Sequence, residues 1–337
     1  MTPIRPADAS ADEHLARAAR LLGSPTAMER ISGALALGTL GDQDPSARLA
    51  CAGLLCAYLR AVPEGWDAEG LTMPRTESDV RDEITAVIAR RLRSGTGDQW
   101  LPAHFDFARA VFGSNADLSR CELAATCTFH GAVFTGTATF DRAHFSATDG
   151  APQGWGGPTA PDPATAQSVA PAPHPAEREA VRHSFTDATF VGLASFVAAT
   201  FDGTATFVGA SIRDQADFSY ATVSRDLVFA HAVIGGLDVT CLVVGGDLNL
   251  GFAEVAGVYA GRLTVNGELS LADARVELAC FLPESRIGTL CVDRATFADL
   301  LDLGRSRIGA WSAEDATFHG SVDCAGTGFT AEAFGSQ

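Results

Sequence analysis

Large apolar residues recur along this chain on a beat of five and six, and the beat returns to phase every 21 or 22 residues. In DATFVGLASFVAATFDGTATFVGASI, residues 187–212, the bulky positions are Phe190, Phe196, Phe201, Phe207 and Ile212. A helix repeats every 3.6 residues and a strand every 2, so neither alone produces this spacing. At longer range Phe107 is followed 22 residues on by Phe129, Phe112 by Phe134, Leu118 by Phe140 and Leu123 by Phe145. After a break one column runs Phe190, Ile212, Ile234, Val255, Val276, Phe297, Phe318, and a second Phe201, Val223, Val244, Val265, Ile287, Ile308. A third runs Phe185, Phe207, Phe229, Leu250, Leu271, Val292. The fourth, Phe196, Phe218, Val239, passes through Ala260 to Phe281 and Leu303. Four columns at one period require a coil with four sides of five or six residues each, which is a solenoid.

The composition follows from that geometry. Each side is short, so one central residue points inward and stacks on its equivalent in the next coil. Two positions earlier a second residue points inward near the corner, where a small group is expected. Alanine supplies it at Ala188, Ala194, Ala199, Ala205, Ala210, Ala216, Ala221, Ala232, Ala253, Ala274, Ala295 and Ala316. Gly246, Gly267, Gly288 and Gly309 fall at turns, where glycine makes positive φ cheap. At the inter-strand spacing of about 4.8 Å, roughly eight to nine coils make a rod of about 40 Å. A filled interior leaves no room for a cofactor. Leucine-rich repeats need a helical or extended return segment and an asparagine ladder, and hexapeptide helices need a period near 18. The chain offers neither.

Residues 1–100 carry no such beat and read as a helical head. TAMERISGALALGTLG, residues 26–41, spaces Met28, Ile31, Ala34, Leu35 and Leu37 at helical intervals. Thr26 and Glu29 there suit a capping box, and Gly41 a C-cap. Residues 45–62 predict a second helix stopped by Pro63, with Cys51 and Cys56 on its apolar face. Residues 77–95 predict a third, capped by Ser78, with acids first and arginines last as the helix dipole prefers. The solenoid is expected over residues 104–330.

ADLSRCEL (116–123), ATFDGTATF (199–207) and ADFSYATV (216–223) resemble the pentapeptide-repeat family, whose motif is A-[D/N]-[L/F]-x-x. The resemblance covers about 104–325 and implies a mainly β fold, a right-handed quadrilateral β-helix. The head, with ERISGALALGTL and LLCAYLR, is similar to the helical segment preceding the repeats in actinobacterial members. From about residue 237 the repeats drift to G-[DE]-L-x-L-x-x-A-x-V, and aromatic stacking is expected to fade there. Some family members mimic the size and charge of duplex DNA, bind type II topoisomerases such as DNA gyrase and protect them from inhibitors. Those mimics are homodimers joined through a C-terminal helix, for which the tail TGFTAEAFGSQ is short.

Charge and missing motifs narrow the function. The chain has 337 residues and a net charge of −17, and all 24 of its basic residues are arginine. Residues 1–100 hold 14 acids and 11 arginines; residues 101–337 hold 27 and 13. An acidic rod repels nucleic acid and attracts basic surfaces. No apolar signal core and no run of 18 apolar residues occurs, so the reading is cytoplasmic, with reduced cysteines and no membrane contact. P-loop, dinucleotide, zincin and hydrolase-elbow motifs are missing, and the histidines are scattered, most at outward positions, so no cofactor and no metal are expected and the chain is read as no enzyme. Residues 147–182, rich in Pro, Ala and Gly, break the beat and read as a projecting loop that carries Trp155, an anchor type at interfaces. Asp141, Asp202, Asp226 and Asp247 fall at outward rod positions; Trp155, Asp202, Asp226 and Asp247 are the candidate partner-binding residues. Two functions remain: a scaffold for a protein partner, and the DNA mimic.

Overall fold

The computed structural model describes residues 11–93, 100, 105–124, 127–147 and 182–327. Among the described residues the head holds four α-helices: α1 (Ala11–Leu22), α2 (Ala27–Gln43), α3 (Arg48–Arg60) and α4 (Arg75–Leu92). The sequence reading missed α1, whose buried residues are Ala18 and Leu22. Cys51 and Cys56 are buried in α3 as expected. Thr26 is the N-cap of α2 as expected, but the capping box does not form: the Thr26 side chain makes no cap bond, and its amide donates to the Ser24 hydroxyl, which donates to Glu29. Two other cap assignments are corrected. Gly41 lies inside α2, and a Cβ there would sit 2.2 Å from the Trp100 ring, so close packing requires the glycine. Ser78 lies within α4, and its hydroxyl accepts the amide of Ser114 in the solenoid at 2.8 Å. Met28 and Leu35, read as apolar face, are exposed.

Beyond the head the chain climbs as a parallel β-solenoid with four-sided coils. Consecutive coils pair in register, as in Phe112↔Phe134↔Phe190↔Ile212↔Ile234. We number the sides by their central residues in one coil: side 1 at Phe207, side 2 at Ile212, side 3 at Phe218, side 4 at Val223. Phe145 pairs directly with Phe201 and Phe140 stacks on Phe196 at 4.8 Å, so the coils flanking the interruption touch. The interruption therefore leaves and returns at the corner between sides 4 and 1. Its residues 148–181, and with them Trp155, lie outside the described residues.

The corners alternate between two kinds, and this corrects the role given to glycine. Between sides 1 and 2, and between sides 3 and 4, one residue per coil has φ near +60°: Asp187, Gly209, His231, Phe252 and Asp273 in one row, Ala198, Tyr220, Cys241 and Arg262 in the other. Non-glycine residues fill most of these left-handed positions, while Gly246, Gly267, Gly288 and Gly309 are not among the positive-φ residues. Gly246 and Gly267 serve close approach: a Cβ would meet the carboxylates of Asp226 and Asp247 at 2.1 Å. The other two corners are wide, and strands such as Ser211–Asp217 run straight through them. Where a wide corner has two residues instead of three, the period falls from 22 to 21. The register shift opposite Ile212/Gln215 marks such a site, with Gly236 paired to Gln215.

Core chemistry changes along the rod at constant side length. From Phe107 to Phe229 the rings stack 4.3–5.0 Å apart within each column. Beyond that, Leu enters the small inward slot as the central residue shrinks. On side 4 the pair Ala199/Phe201 becomes Leu242/Val244, all fully buried. The same volume is filled by a different division between the two slots. Side 2 keeps alanine throughout. The fourth column also needs a correction: the inward residue is Leu282, 1% exposed, and Phe281 points outward. His183 takes an alanine slot on side 1 and is 2% exposed, an exception to the outward placement expected for most of the histidines.

Candidate partner-binding surface

Side 3 shows what the polar letter of the repeat does. Asp217, Asp238, Asp302 and Asp323 stand between the two inward residues and point out. One carboxylate oxygen of each accepts an amide two residues on, from Ser219, Thr240, Gly304 and Ala325 at 2.7–2.9 Å. Asn249 does the same for Gly251 on side 1. These Asx turns hold the left-handed corner that follows. The sequence motif D/N is thus a turn device first and a charge second.

One registered column runs up side 3: Asp117, Thr139, Ser195, Asp217, Asp238, Tyr259, Phe281, Asp302, Asp323. Its aspartates are interrupted by an aromatic pair. Tyr259 is 49% exposed and stacks on Phe281 at 5.7 Å and 18°. Leu278, 57% exposed, lies beside them across Gly257, where a Cβ would touch both Leu278 and Tyr259. The result is an outward apolar patch bracketed by Asp238 and Asp302. Sequence reasoning missed it by counting Phe281 as core. The available signal was an aromatic at the position the repeat gives to Asp or Asn.

The residues named from the sequence do not form one stripe. Asp226 and Asp247 share a column, and each carboxylate accepts an amide of the next coil, Asp247 N at 3.0 Å and Glu268 N at 2.8 Å. Asp202 lies across that corner on side 4 and belongs to a different group. Asp141, on side 3, accepts from the Ser195 hydroxyl at 2.5 Å and from the Val197 amide.

Asp202 and Glu122 grip His144 from either side at 2.8 Å each, linking three coils across the interruption. The hydrogen bond to Glu122, with that to Asp202, pushes the imidazole up to about 9 against the cost of burial. Both ring nitrogens donate, so His144 is a cation in a ladder and not a free base. His183 is the converse. Burial pushes it down to about 4, and neither ring nitrogen has a hydrogen-bond partner among the described residues.

These shifts set a pH profile. The raised pKa of His144 gives stability that is complete below about pH 6.5 and lost as pH rises through 9. The lowered pKa of His183 costs stability as pH falls from 6.5 toward 4. Maximum stability is expected near pH 6.5. His144→Gln should flatten the alkaline limb, a loss of roughly 1 kcal/mol after solvent screening, and His183→Leu the acid limb. Thermal melts across pH 4–9 check this; an unchanged alkaline limb in His144→Gln would refute the ladder's contribution.

Among the described residues no cluster of His, Cys, Asp and Glu is arranged to hold a metal, and no helix is long and apolar enough to cross a membrane. None of the eight cysteines is in a disulfide. Burial pushes the thiols of Cys121 and Cys280 up to about 12, far from a reactive thiolate.

A stack of parallel four-sided coils on a helical head defines a β-solenoid repeat protein. The family model for pentapeptide repeats, nine copies, matches residues 185–233, and the coils on either side of that stretch continue the same parallel β-solenoid. No curated protein and no solved structure matches the chain.

Proposed function

We propose that this chain is a non-enzymatic repeat scaffold that binds a protein partner through side 3 of its solenoid. The observation that carries the reading is the outward Tyr259–Phe281 pair, with Tyr259 exposed and Phe281 half-buried beneath it, set in a column of aspartates. Exposed aromatics within a polar rim are the usual anchors of protein interfaces. Carboxylates above and below select a partner whose apolar anchor is flanked by basic residues. The acidic balance of residues 101–337 adds long-range attraction for such a partner. Trp155, Asp202, Asp226 and Asp247 are secondary candidates on and beside the corner that carries the interruption.

A photo-crosslinking side chain at Tyr259, compared with one at exposed Val243 on side 4, tests the reading in cells. The expected result is a discrete crosslinked species from position 259 that disappears in the Asp238→Asn/Asp302→Asn variant. Asparagine keeps the Asx turn, as Asn249 shows, and removes only charge. Equal crosslinks from both sides would sink the proposal.

The rival reading, a DNA mimic that binds a type II topoisomerase such as gyrase, asks for acids in unbroken stripes. Along a single column the longest run among the described residues is Asp226, Asp247 and Glu268, and the aromatic pair divides the acids of side 3. A supercoiling assay with the purified protein is therefore expected to stay flat. Dose-dependent inhibition would favour the mimic.

A further inference from the structure

We propose that Arg120 and Arg142, with Arg93 beside them, bind a diphosphate-bearing small molecule where the head meets the solenoid. Arg120 and Arg142 occupy the left-handed corner position of two successive coils, at φ +58° and +56°. Their amides bond to Asp141 O and Val197 O in the usual ladder, at 2.9 Å. Their backbones therefore lie one strand spacing apart, about 4.8 Å. Neither guanidinium makes an ion pair or side-chain hydrogen bond among the described residues.

At several places the rod stacks opposite charges on one another. Asp273 takes Arg294 through two bonds of 2.7 and 2.8 Å, Glu284 faces Arg305 at 3.5 Å, and Glu122 and Asp202 enclose His144. Arg120 over Arg142 has no such partner among the described residues, and like Arg286 over Arg307 it stacks two cations. A glycine would fill this corner without strain, as Gly326 does at the far end of the same row.

The two arginines line a recess of about 520 Å³ shared with Arg93, Ser119 and two aspartates. The aspartates are already engaged. Asp117 accepts from Arg93 at 2.8 Å and from the Ser119 amide at 2.9 Å, and Asp141 holds Ser195. That leaves two forked, outward cations as the free chemistry of the recess. Adjacent guanidinium forks match adjacent phosphoryl groups, each taking paired hydrogen bonds. The volume suits a ligand of nucleotide size. Arg286 and Arg307 also stack in register, but on side 4 and not in this recess, and they supply a matched control.

Calorimetric titration of the full chain at low salt, with inorganic pyrophosphate and with a nucleoside diphosphate, tests this. Both ligands are expected to bind, more weakly as salt rises. Arg120→Gly/Arg142→Gly, which relaxes the backbone while removing both charges, should weaken binding about tenfold or more. Arg286→Ala/Arg307→Ala should leave it unchanged. Tighter binding of the nucleoside diphosphate assigns a nucleotide; equal binding assigns the phosphates alone. No binding up to about 10 mM, or equal losses in both double variants, overturns the proposal.

Discussion

Phe207→Ala is expected to destabilise the solenoid by about 3–5 kcal/mol. Phe207 is fully buried, lies parallel to Phe185 at 4.7 Å and to Phe229 at 5.0 Å, and meets Phe196 and Phe218 edge-on. Removing the ring leaves a void bounded by four other rings held by strands that cannot close in, because each coil is pinned to the next by backbone bonds. The small slot beside it holds Ala205 and offers nothing to fill the space. The coil on side 4 shows how compensation would look, with Leu242 beside Val244 where Ala199 stands beside Phe201. Phe201→Val should therefore cost less when combined with Ala199→Leu than alone. Chemical denaturation with hydrogen exchange resolves both effects; a loss below about 1 kcal/mol in Phe207→Ala would mean that the stack collapses around the void.

Most of the solenoid was legible because a four-sided coil forces one bulky residue inward per side, and that constraint shows as a period. The slip at Phe281 has a local cause. From Val276 the next inward residue is Phe281 if the corner has two residues and Leu282 if it has three. Both are apolar in ACFLP, so the hydrophobic pattern is silent and packing on Ala260 and Leu303 decides. The pH-active and charged ladders were missed for another reason: the sequence reading followed only apolar columns. Asp273, Arg294 and Asp315 recur every 21 residues as regularly as the core does. The capping errors in the head are tertiary. Ser78 and Gly41 carry the residue types of helix ends, but the solenoid amide of Ser114 and the ring of Trp100 claim them. The patch at Tyr259 was hidden by the same slip that placed Phe281 inside.

Glu77→Ala is expected to cost about 3–5 kcal/mol, because it breaks a buried ion pair on one side only. Glu77 and Arg81 have side chains 4% and 1% exposed and lie 2.7 Å apart one turn along α4. Glu77 also accepts from Arg30 at 3.2 Å and from the Tyr58 hydroxyl at 3.0 Å, so its loss strands two cations and a phenol at once. Arg81 is the piece that carries the damage outward. It donates to Leu59 O and Ala61 O at the end of α3, and to Val111 O in the first coil. A guanidinium without its carboxylate must draw in water or withdraw, and withdrawal releases the head from the rod it covers. Hydrogen exchange should therefore lose protection first at the amides of α4 and of the coil around Phe112, while coils beyond Leu271 keep theirs. Glu77→Gln, which retains the hydrogen-bond acceptor for Tyr58 and Arg81 but not the charge, should fall between wild type and alanine. Uniform loss along the whole rod would show that Glu77 supports global stability rather than the junction. A cost in Glu77→Ala below about 1 kcal/mol would show that water replaces the carboxylate freely.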